Sequence, residues 1–393
     1  MSTQRPLFEP PKEWIAPQGL PDLSDAKEIA VDLETYDPGI KDTGPGWATN
    51  RGHVAGIAIA VDGWKGYFPI RHEGGGNFDE EILKDQLSKL LKNDADKIFH
   101  NASYDLGWLK RWGVEVKGKC IDTMIAAAVV DENRMPGQYN LNAVARDYIQ
   151  EKKDESLLYE AARAWQVDAK AEMYKLPYQY VGPYAEQDAA MTLRLWKALE
   201  VEIRKQELNS IFNLETELLP VLVEMKWKGV RINLDKANNL KNQLIKQEKS
   251  ILLALKKEVG FEVEVFAPTS VAKAFDKKGI QYNKTPTGLP SFDKNFLATL
   301  NDPFSNKIVE ARELFKARST FIDSLLKHET NGRIHGEINQ LKSDQGGTIT
   351  GRLSMSNPNL QQIPARNEKI GPMIRSLFIP EENCRWGSFD YSQ

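Results

Sequence analysis

The sequence predicts an α/β domain, then a mainly helical region, then a segment of short strands and turns. Apolar strands and amphipathic helices are mixed over the first half, which is typical of an α/β domain. Long amphipathic helices follow from Leu214 to about His328, and strand and turn character returns near the end. We therefore place domain boundaries near residues 205 and 330 of the 393-residue chain, giving domains 1–205, 206–330 and 331–393.

Three apolar stretches near the start have the composition of strands and could form a meander: KEIAVDLETY, HVAGIAIAVDG and GWKGYFPI. The periodicity of FDEEILKDQLSKLLKN predicts a helix that begins near Asn77 or Phe78. The stretch DKIFHNASYDLGWLKRWG predicts a short strand that runs into a helix. Two further helices are predicted over IDTMIAAAVV and YAEQDAAMTLRLWKALEVEIRKQ, and the polar stretch 140–180 receives no regular element.

The helices of the middle region end where glycine permits a left-handed backbone. LETELLPVLVEMKWKG ends on Gly229, and the long amphipathic stretch that follows ends on Gly260. TPTGLPSFD has the composition of a loop. In the last domain, GRIHGEINQ, TGRLSMSNPNLQQIP and RWGSFDYSQ predict short strands and turns.

The net charge of −3 conceals an uneven distribution. Residues 1–200 carry 24 Lys and Arg against 32 Asp and Glu, whereas residues 201–393 carry 28 against 23. An acidic half suits metal binding and a basic half suits a polyanion, although differently solvated surfaces would give the same split. Only Cys120 and Cys384 are present, there is no apolar run of membrane-spanning length, and the start lacks the apolar core of a signal peptide. We therefore expect a soluble intracellular protein.

Two carboxylates in AVDLETY are the first candidate site residues. Asp32 and Glu34 are two positions apart on a predicted strand, so both side chains point to the same side. Pairing two acids there is unfavourable unless a cation lies between them. A solvent-facing strand edge is the alternative interpretation.

Two helical stretches repeat a spacing of four residues, which places the paired side chains on one face. Asp105 follows Asn101 at this spacing, and Asp188 follows Tyr184. Each aspartate alone would also suit a surface position or a helix cap, but four carboxylates and a tyrosine in one domain indicate a common site. Oxygen ligands without a His or Cys cluster favour Mg²⁺ or Mn²⁺, and four carboxylates can hold two such ions for phosphodiester hydrolysis.

At DLE, NASYD and YAEQD the chain resembles the proofreading 3′–5′ exonucleases of the DEDD type, in the subclass that carries a tyrosine. The resemblance implies a ribonuclease H-like fold and removal of nucleotides from the 3′ end of single-stranded DNA. It implies that Asp32, Glu34, Asp105 and Asp188 are metal ligands and that Tyr184 orients the attacking water. Thr35 and Asn101 would contact the terminal nucleotide.

The stretch TGRLSMSNPNLQQIPAR is dense in side chains that can donate to phosphates and to minor-groove acceptors, although a polar surface loop would also have this composition. It resembles a motif of family A DNA polymerases, and ARSTFIDSLL, GRIHGEINQ and IRSLFIPEENCRWGSFDYSQ continue the resemblance. The helices of the middle region would then be the thumb, and the last domain an incomplete α+β palm. The residues implied to line the primer–template minor groove are Arg352, Asn359, Gln361 and Gln362.

Asp390 falls on the first of the two metal-binding aspartates of the polymerase family. The nucleotide-binding fingers helix and the second aspartate have no counterpart in the sequence. We therefore expect the N-terminal part of a split or truncated polymerase from a bacterium or a phage-infected cell, whose polymerase activity requires a C-terminal fragment. The apolar flanks RWGSF should then lie exposed, and the last sixty residues should be poorly ordered or self-associating when the chain is alone. A non-catalytic DNA-binding remnant and a 3′–5′ exoribonuclease remain as alternatives.

Overall fold

The computed structural model describes residues 14–344, 346–364 and 367–391, and these form two compact units. The first unit extends to Gly229 and includes His335–Gln361. The second comprises Val230–Ile334 and continues from Gln362. The first thirteen residues, on which the expected lack of a signal peptide depends, lie outside the described residues. In the described part of the chain, no helix is long and apolar enough to cross a membrane.

A five-stranded mixed sheet with the strand order β3-β2-β1-β4-β5 forms the centre of the first unit. Strands β1, β2 and β3 are antiparallel neighbours, as the predicted meander requires, and β4 and β5 run parallel to β1. The strands are β1 (Glu28–Tyr36), β2 (His53–Val61), β3 (Trp64–Pro69), β4 (Asp96–Phe99) and β5 (Cys120–Asp122). This arrangement confirms the prediction of an α/β domain in general terms.

Helices cover both faces of this sheet because the strands are apolar on both sides. Helix α7 packs across β1, β2 and β3 on one face, and α2 and α3 contribute to the core on the other face. The helices of this unit are α1 (Ile40–Thr43), α2 (Glu80–Leu91), α3 (Ala102–Trp112), α4 (Thr123–Val130), α5 (Leu141–Ile149), α6 (Ser156–Trp165), α7 (Tyr178–Lys205) and α8 (Asn209–Lys228).

The second unit is mainly helical, as predicted for the middle of the chain. Its core is built on α9, α10 and α12, and contains Phe275, Phe304 and Leu255. Its elements are β6 (Val230–Arg231), α9 (Leu234–Val259), α10 (Pro268–Lys278), β7 (Asn283–Lys284), β8 (Pro290–Ser291), α11 (Lys294–Thr299), α12 (Pro303–Lys316), a π-helical segment (Ala317–Ile322), α13 (Asp323–His328), β9 (Glu329–Thr330), β10 (Arg333–Ile334) and, after an interval, α14 (Ile370–Arg375). Strands β11 (Glu337–Asn339) and β12 (Ser354–Ser356) pair within the first unit.

Several local predictions are wrong in detail. The polar stretch 140–180 contains α5, α6 and the start of α7, because small apolar residues on one face of each helix suffice to bury it. The loop predicted over TPTGLPSFD contains the short strand β8, which pairs with β7 directly before the loop. Helix α2 begins at Glu80, after the predicted start, since the Asp79 side chain accepts from two backbone N–H groups and caps it.

The strand predicted over RWGSFDYSQ does not form in residues 385–391. A strand requires a hydrogen-bonded neighbour, and this segment is assigned to no sheet. Phe389 and Tyr391 are 97% and 101% exposed, as expected for apolar side chains without a partner sheet.

Candidate functional site

Strand β1 presents two of the predicted carboxylates to helix α7. Side chains alternate along a strand, so Ala30, Asp32 and Glu34 share one face. Ala30 belongs to the core that β1 shares with α7, and this assigns the face. The pairing of β1 with β2 shifts by one residue between Glu34 and Thr35, and such a bulge redirects the side chains that follow. Asp32 and Glu34 are half-buried at this position.

Helix α7 supplies Tyr184 and Asp188, one helical turn apart and both buried. Burial, and then the charge of Asp188, raise the pKa of Tyr184 well above its usual range. Because α7 packs directly against β1, the charge of Asp188 acts on Asp32 and Glu34. The structure therefore brings the first and third predicted motifs together.

Asp105 reaches the same place from helix α3. The pairing of β1 with β4 ends at Ala30, so the edge of β1 beyond that residue has no strand neighbour on this side. The Leu33 N–H donates to Asp105 Oδ1 at 3.1 Å at this open edge. Asp105 is buried, and its charge is coupled to that of Asp32. All four predicted carboxylates thus converge at the open edge of β1.

Asp122 fixes the start of α3, and the sequence analysis did not identify it. Its carboxylate accepts from the Asn101 N–H at 2.9 Å, the Ala102 N–H at 2.8 Å and the Met124 N–H at 2.8 Å. It caps α4 and also satisfies the first N–H groups of α3, which otherwise lack partners. An aspartate directly before a helical stretch is recognisable from the sequence as a cap, here of α4. Its contacts with the start of α3 depend on the tertiary fold.

The crowded carboxylates hold protons more tightly than isolated ones. Burial, and then the charge of Asp188, raise the pKa of Asp32 to about 7. Burial, and then the charge of Asp32, raise the pKa of Glu34 to about 8. Burial and the charge of Asp32 also raise the pKa of Asp105 well above its usual range. Burial raises the pKa of Asp188 despite its ion pair. The cluster is therefore electrostatically strained.

Two lysines from the stretch 140–180 also enter the site. Lys153 forms an ion pair with Asp188 Oδ2 and donates to the Tyr184 hydroxyl at 3.1 Å. Lys170 donates to the same hydroxyl at 2.7 Å and to Glu155 Oε1 at 2.7 Å. Although burial alone would lower it, the contacts with Asp188 raise the pKa of Lys153. No local pattern in the sequence singled out either lysine.

The donor set fits a hard divalent cation, because it consists of carboxylates and one buried oxygen remains without a partner. Asp188 Oδ1 has no hydrogen bond although the residue is buried. In the described residues, however, no group of three or more His, Cys, Asp or Glu side chains is arranged so that it could hold a metal ion as it stands. The carboxylates are therefore of the right chemical type for a hard divalent cation, but Lys153 forms an ion pair with one of them, Asp188.

The residues expected to contact a terminal nucleotide flank the cluster. Thr35 Oγ1 and the Tyr104 hydroxyl are hydrogen-bonded at 2.6 Å. Asn101 is half-buried and adopts a left-handed conformation with φ of 68°, immediately before α3. Thr35 lies on β1, which carries Asp32 and Glu34, and Asn101 directly precedes α3, which carries Asp105.

The residues expected to line a DNA minor groove lie on the chain after β11. Arg352, Gln361 and Gln362 are exposed. Asn359 Oδ1 accepts from the Gln361 N–H at 3.0 Å, and Gln361 Nε2 donates to the Leu353 carbonyl at 3.0 Å. These contacts stabilise the loop itself. Asp390 is exposed and lies outside regular secondary structure.

Comparisons with known proteins define the class of this protein. Residues 19–204 match the family described as 3′-5′ exonuclease, and residues 234–393 match DNA polymerase family A. The part of the chain that carries the carboxylate cluster is thus similar to 3′-5′ exonucleases, and the part that follows it is similar to family A DNA polymerases.

Relatives are found in phages and bacteria. A DNA-directed DNA polymerase of Pseudomonas phage M6 is 37% identical over 99% of this chain, which spans 61% of that protein. The DNA polymerase DpoZ of Acinetobacter phage SH-Ab 15497 is 31% identical over 95% of the chain, again spanning 61% of the relative. DNA polymerase I of Synechocystis is 32% identical over 83% of the chain, spanning 33% of the relative.

A solved structure shares the fold. It is described as the POL domain of Pol1 from M. smegmatis in complex with DNA primer-template and dNTP. Its TM-score is 0.66 at 22% identity, with 91% of this chain and 55% of that chain covered.

Without divalent cations, the melting temperature should fall as the pH is raised from about 5 to about 8. The folded protein retains protons on Asp32 and Glu34 that the unfolded chain has already released, because their pKa values of about 7 and about 8 lie above the ordinary values. The stability present at low pH is therefore lost as the pH rises through these values. Thermal unfolding in EDTA across this range measures the effect.

The Asp32→Asn/Glu34→Gln double variant should show a flatter dependence on pH, because neutral amides cannot repel. Asp25→Asn, at an exposed position, is the control and should follow the wild type. Equal slopes for all three proteins would show that the cluster is not strained.

Proposed function

We propose that this chain is a 3′–5′ exodeoxyribonuclease that hydrolyses terminal phosphodiesters of DNA with the help of Mg²⁺ or Mn²⁺, on a ribonuclease H-like scaffold. The observation that carries the proposal is the convergence of Asp32, Glu34, Asp105 and Asp188 from three separate elements. Crowding four like charges at a largely buried position destabilises a fold unless a positive ligand compensates them. The match of residues 19–204 to the exonuclease family supports the same reaction.

Each side chain has a definable task. The four carboxylates would hold two divalent ions, which when bound supply the charge that activates water and stabilises the departing oxygen. Tyr184 would orient the attacking water by its hydroxyl. Because Lys153 and Lys170 can only donate, the oxygen of Tyr184 accepts from both, and its own proton is left to donate to Asp188 or to water.

The substrate is proposed to be the single-stranded 3′ end of DNA, with Thr35 and Asn101 near the terminal nucleotide. The polymerase family match of residues 234–393 favours DNA over RNA. An exoribonuclease would release nucleotides from 3′-labelled RNA instead, and a non-catalytic DNA-binding remnant would release none. Incubation of the whole chain with both labelled substrates and Mg²⁺ separates the three.

Asp32→Ala and Asp188→Ala should each abolish nucleotide release from labelled single-stranded DNA, because each removes an anionic ligand of the cluster. Both variants should remain folded, and without Mg²⁺ the melting temperature of Asp32→Ala should equal or exceed that of the wild type, since repulsion is relieved. Glu186→Gln is the matched control on α7, because Glu186 accepts from the Tyr67 N–H rather than facing the cluster. Retention of most activity by either alanine variant would refute the site assignment.

Tyr184→Phe should be milder than either aspartate change. It removes the hydroxyl that orients water but leaves all four carboxylates, and a loss of roughly ten- to a thousandfold in rate fits a positioning or proton-transfer role. Single-turnover hydrolysis at saturating Mg²⁺ measures it. An unchanged rate would mean that Tyr184 only packs in the hydrophobic core between α7 and the sheet.

We further infer that residues 206–393, the proposed thumb and incomplete palm, bind primer–template duplex DNA. The polymerase family match and the exposed polar side chains Arg352, Gln361 and Gln362 support this. Asn359 would assist, and the contacts would be to phosphates and minor-groove acceptors.

Arg352→Ala should weaken binding of the whole chain to primer–template DNA by about tenfold, with little dependence on base sequence. Affinity should also fall steeply with salt, because phosphate contacts release counterions. Fluorescence anisotropy at several salt concentrations measures both effects. Arg204→Ala, an exposed change at the end of α7, is the control. Strong sequence preference, or binding independent of salt, would contradict the proposal.

Template-directed synthesis is proposed to need a separate fragment that carries the fingers and the second aspartate, with Asp390 as one metal ligand. The chain spans 61% of the phage relatives, which supports a contribution from further polymerase sequence. Primer extension by the chain, by such a fragment and by the mixture tests this, and synthesis by the chain alone would overturn it.

A further inference from the structure

The exonuclease cluster contains a lysine that the proposed reaction leaves without a task. Lys153 is 10% exposed and its partner Asp188 is 6% exposed, so solvent screens their ion pair little. Its ammonium group also lies 4.7 Å from the centre of the Tyr184 ring. A buried cation in direct contact with a proposed metal ligand competes with any metal for that ligand.

The charge of Lys153 is placed where a cation is needed. Besides the contact with Asp188, it acts favourably on Asp32 and Glu34. The other oxygen of Asp188, Oδ1, is buried without a hydrogen-bond partner, so it remains available to a cation. A divalent ion that took up Asp188 would stand beside the ammonium group, and two like charges in a buried site repel strongly.

The backbone that carries Lys153 is fixed, so only its side chain need move. The Lys153 N–H donates to Asn142 Oδ1 at 3.0 Å, and the Asp154 N–H donates to Gln187 Oε1 at 3.1 Å. These bonds attach the segment to α5 and α7. A lysine side chain is a compact charge on a flexible stem, and it can turn away without disturbing the segment.

We propose that Lys153 is an internal counter-cation of the carboxylate cluster, which neutralises Asp188 when no divalent ion is bound and releases it when one binds. This inference rests on the proposed function, because it takes the cluster to be a metal site. Lys153 is then a positioning residue, since it maintains the ligands in place between metal-binding events. Its charge also sets how tightly the metal is held.

The test is a titration of the whole chain with Mn²⁺ in the absence of DNA. Calorimetry measures Mn²⁺ binding, and the melting temperature is measured in EDTA and in Mn²⁺. Lys153→Met should bind Mn²⁺ at least about fivefold more tightly, because the competing charge is gone. Its melting temperature in EDTA should be lower than that of the wild type, and Mn²⁺ should raise it by more. Lys153→Gln, which keeps a donor without the charge, replaces it if the Met variant does not fold.

Lys170→Met is the matched control. Lys170 also donates to Tyr184, but its carboxylate partner is Glu155 and its side chain is 43% exposed. The charge of Lys170 also acts on Asp32 and Glu34. Because its ion pair is with Glu155 and solvent screens its charge, its removal should change Mn²⁺ affinity less than removal of Lys153.

Two results would overturn the inference. Unchanged or weaker Mn²⁺ binding by Lys153→Met, with equal loss of melting temperature in EDTA and in Mn²⁺, would make the ion pair a plain structural contact. Unchanged Mn²⁺ binding with weaker binding of a DNA 3′ end would make Lys153 a phosphate-binding residue. If Asp188→Ala does not reduce Mn²⁺ binding relative to the wild type, the metal site itself fails, and with it the proposed function.

Discussion

The crowding of four carboxylates at the open edge of β1 is the constraint on which the exonuclease unit depends. Each carboxylate is supplied by an element whose own packing is apolar, so the sheet and its helices hold the charges together against their repulsion. The strain appears in the raised pKa values of Asp32 and Glu34, about 7 and about 8. A fold without a use for the cluster would gain stability by replacing any one of these residues.

Two backbone arrangements hold the carboxylates in place. Ending the β1–β4 pairing at Ala30 frees the Leu33 N–H, and Asp105 accepts from it, so a backbone donor partly stabilises one of the charges. Asp122 ties the starts of α3 and α4 together and thereby fixes the helix that carries Asp105. The position of Asp105 thus depends on backbone geometry rather than on the other carboxylates.

Much of the carboxylate cluster can be predicted from the sequence. The contacts of the two lysines cannot, and the reason is physical. Strand periodicity places Asp32 and Glu34 on one face, and helical spacing pairs Tyr184 with Asp188, because both are local properties. Lys153 is 35 positions from its partner Asp188, and Lys170 is 15 positions from its partner Glu155. These ion pairs form only when the chain folds, so local sequence patterns do not reveal them.

The distribution of charge also differs between the two proposed sites of the chain. The four carboxylates near β1 are crowded, Asp105 and Asp188 are buried, and the largely buried Lys153 forms an ion pair with Asp188. Asp390 is exposed beside Phe389, which is 97% exposed, so water solvates its charge and nothing nearby is strained by it. Charge repulsion would arise there only if a second carboxylate and a covering sheet were brought to it.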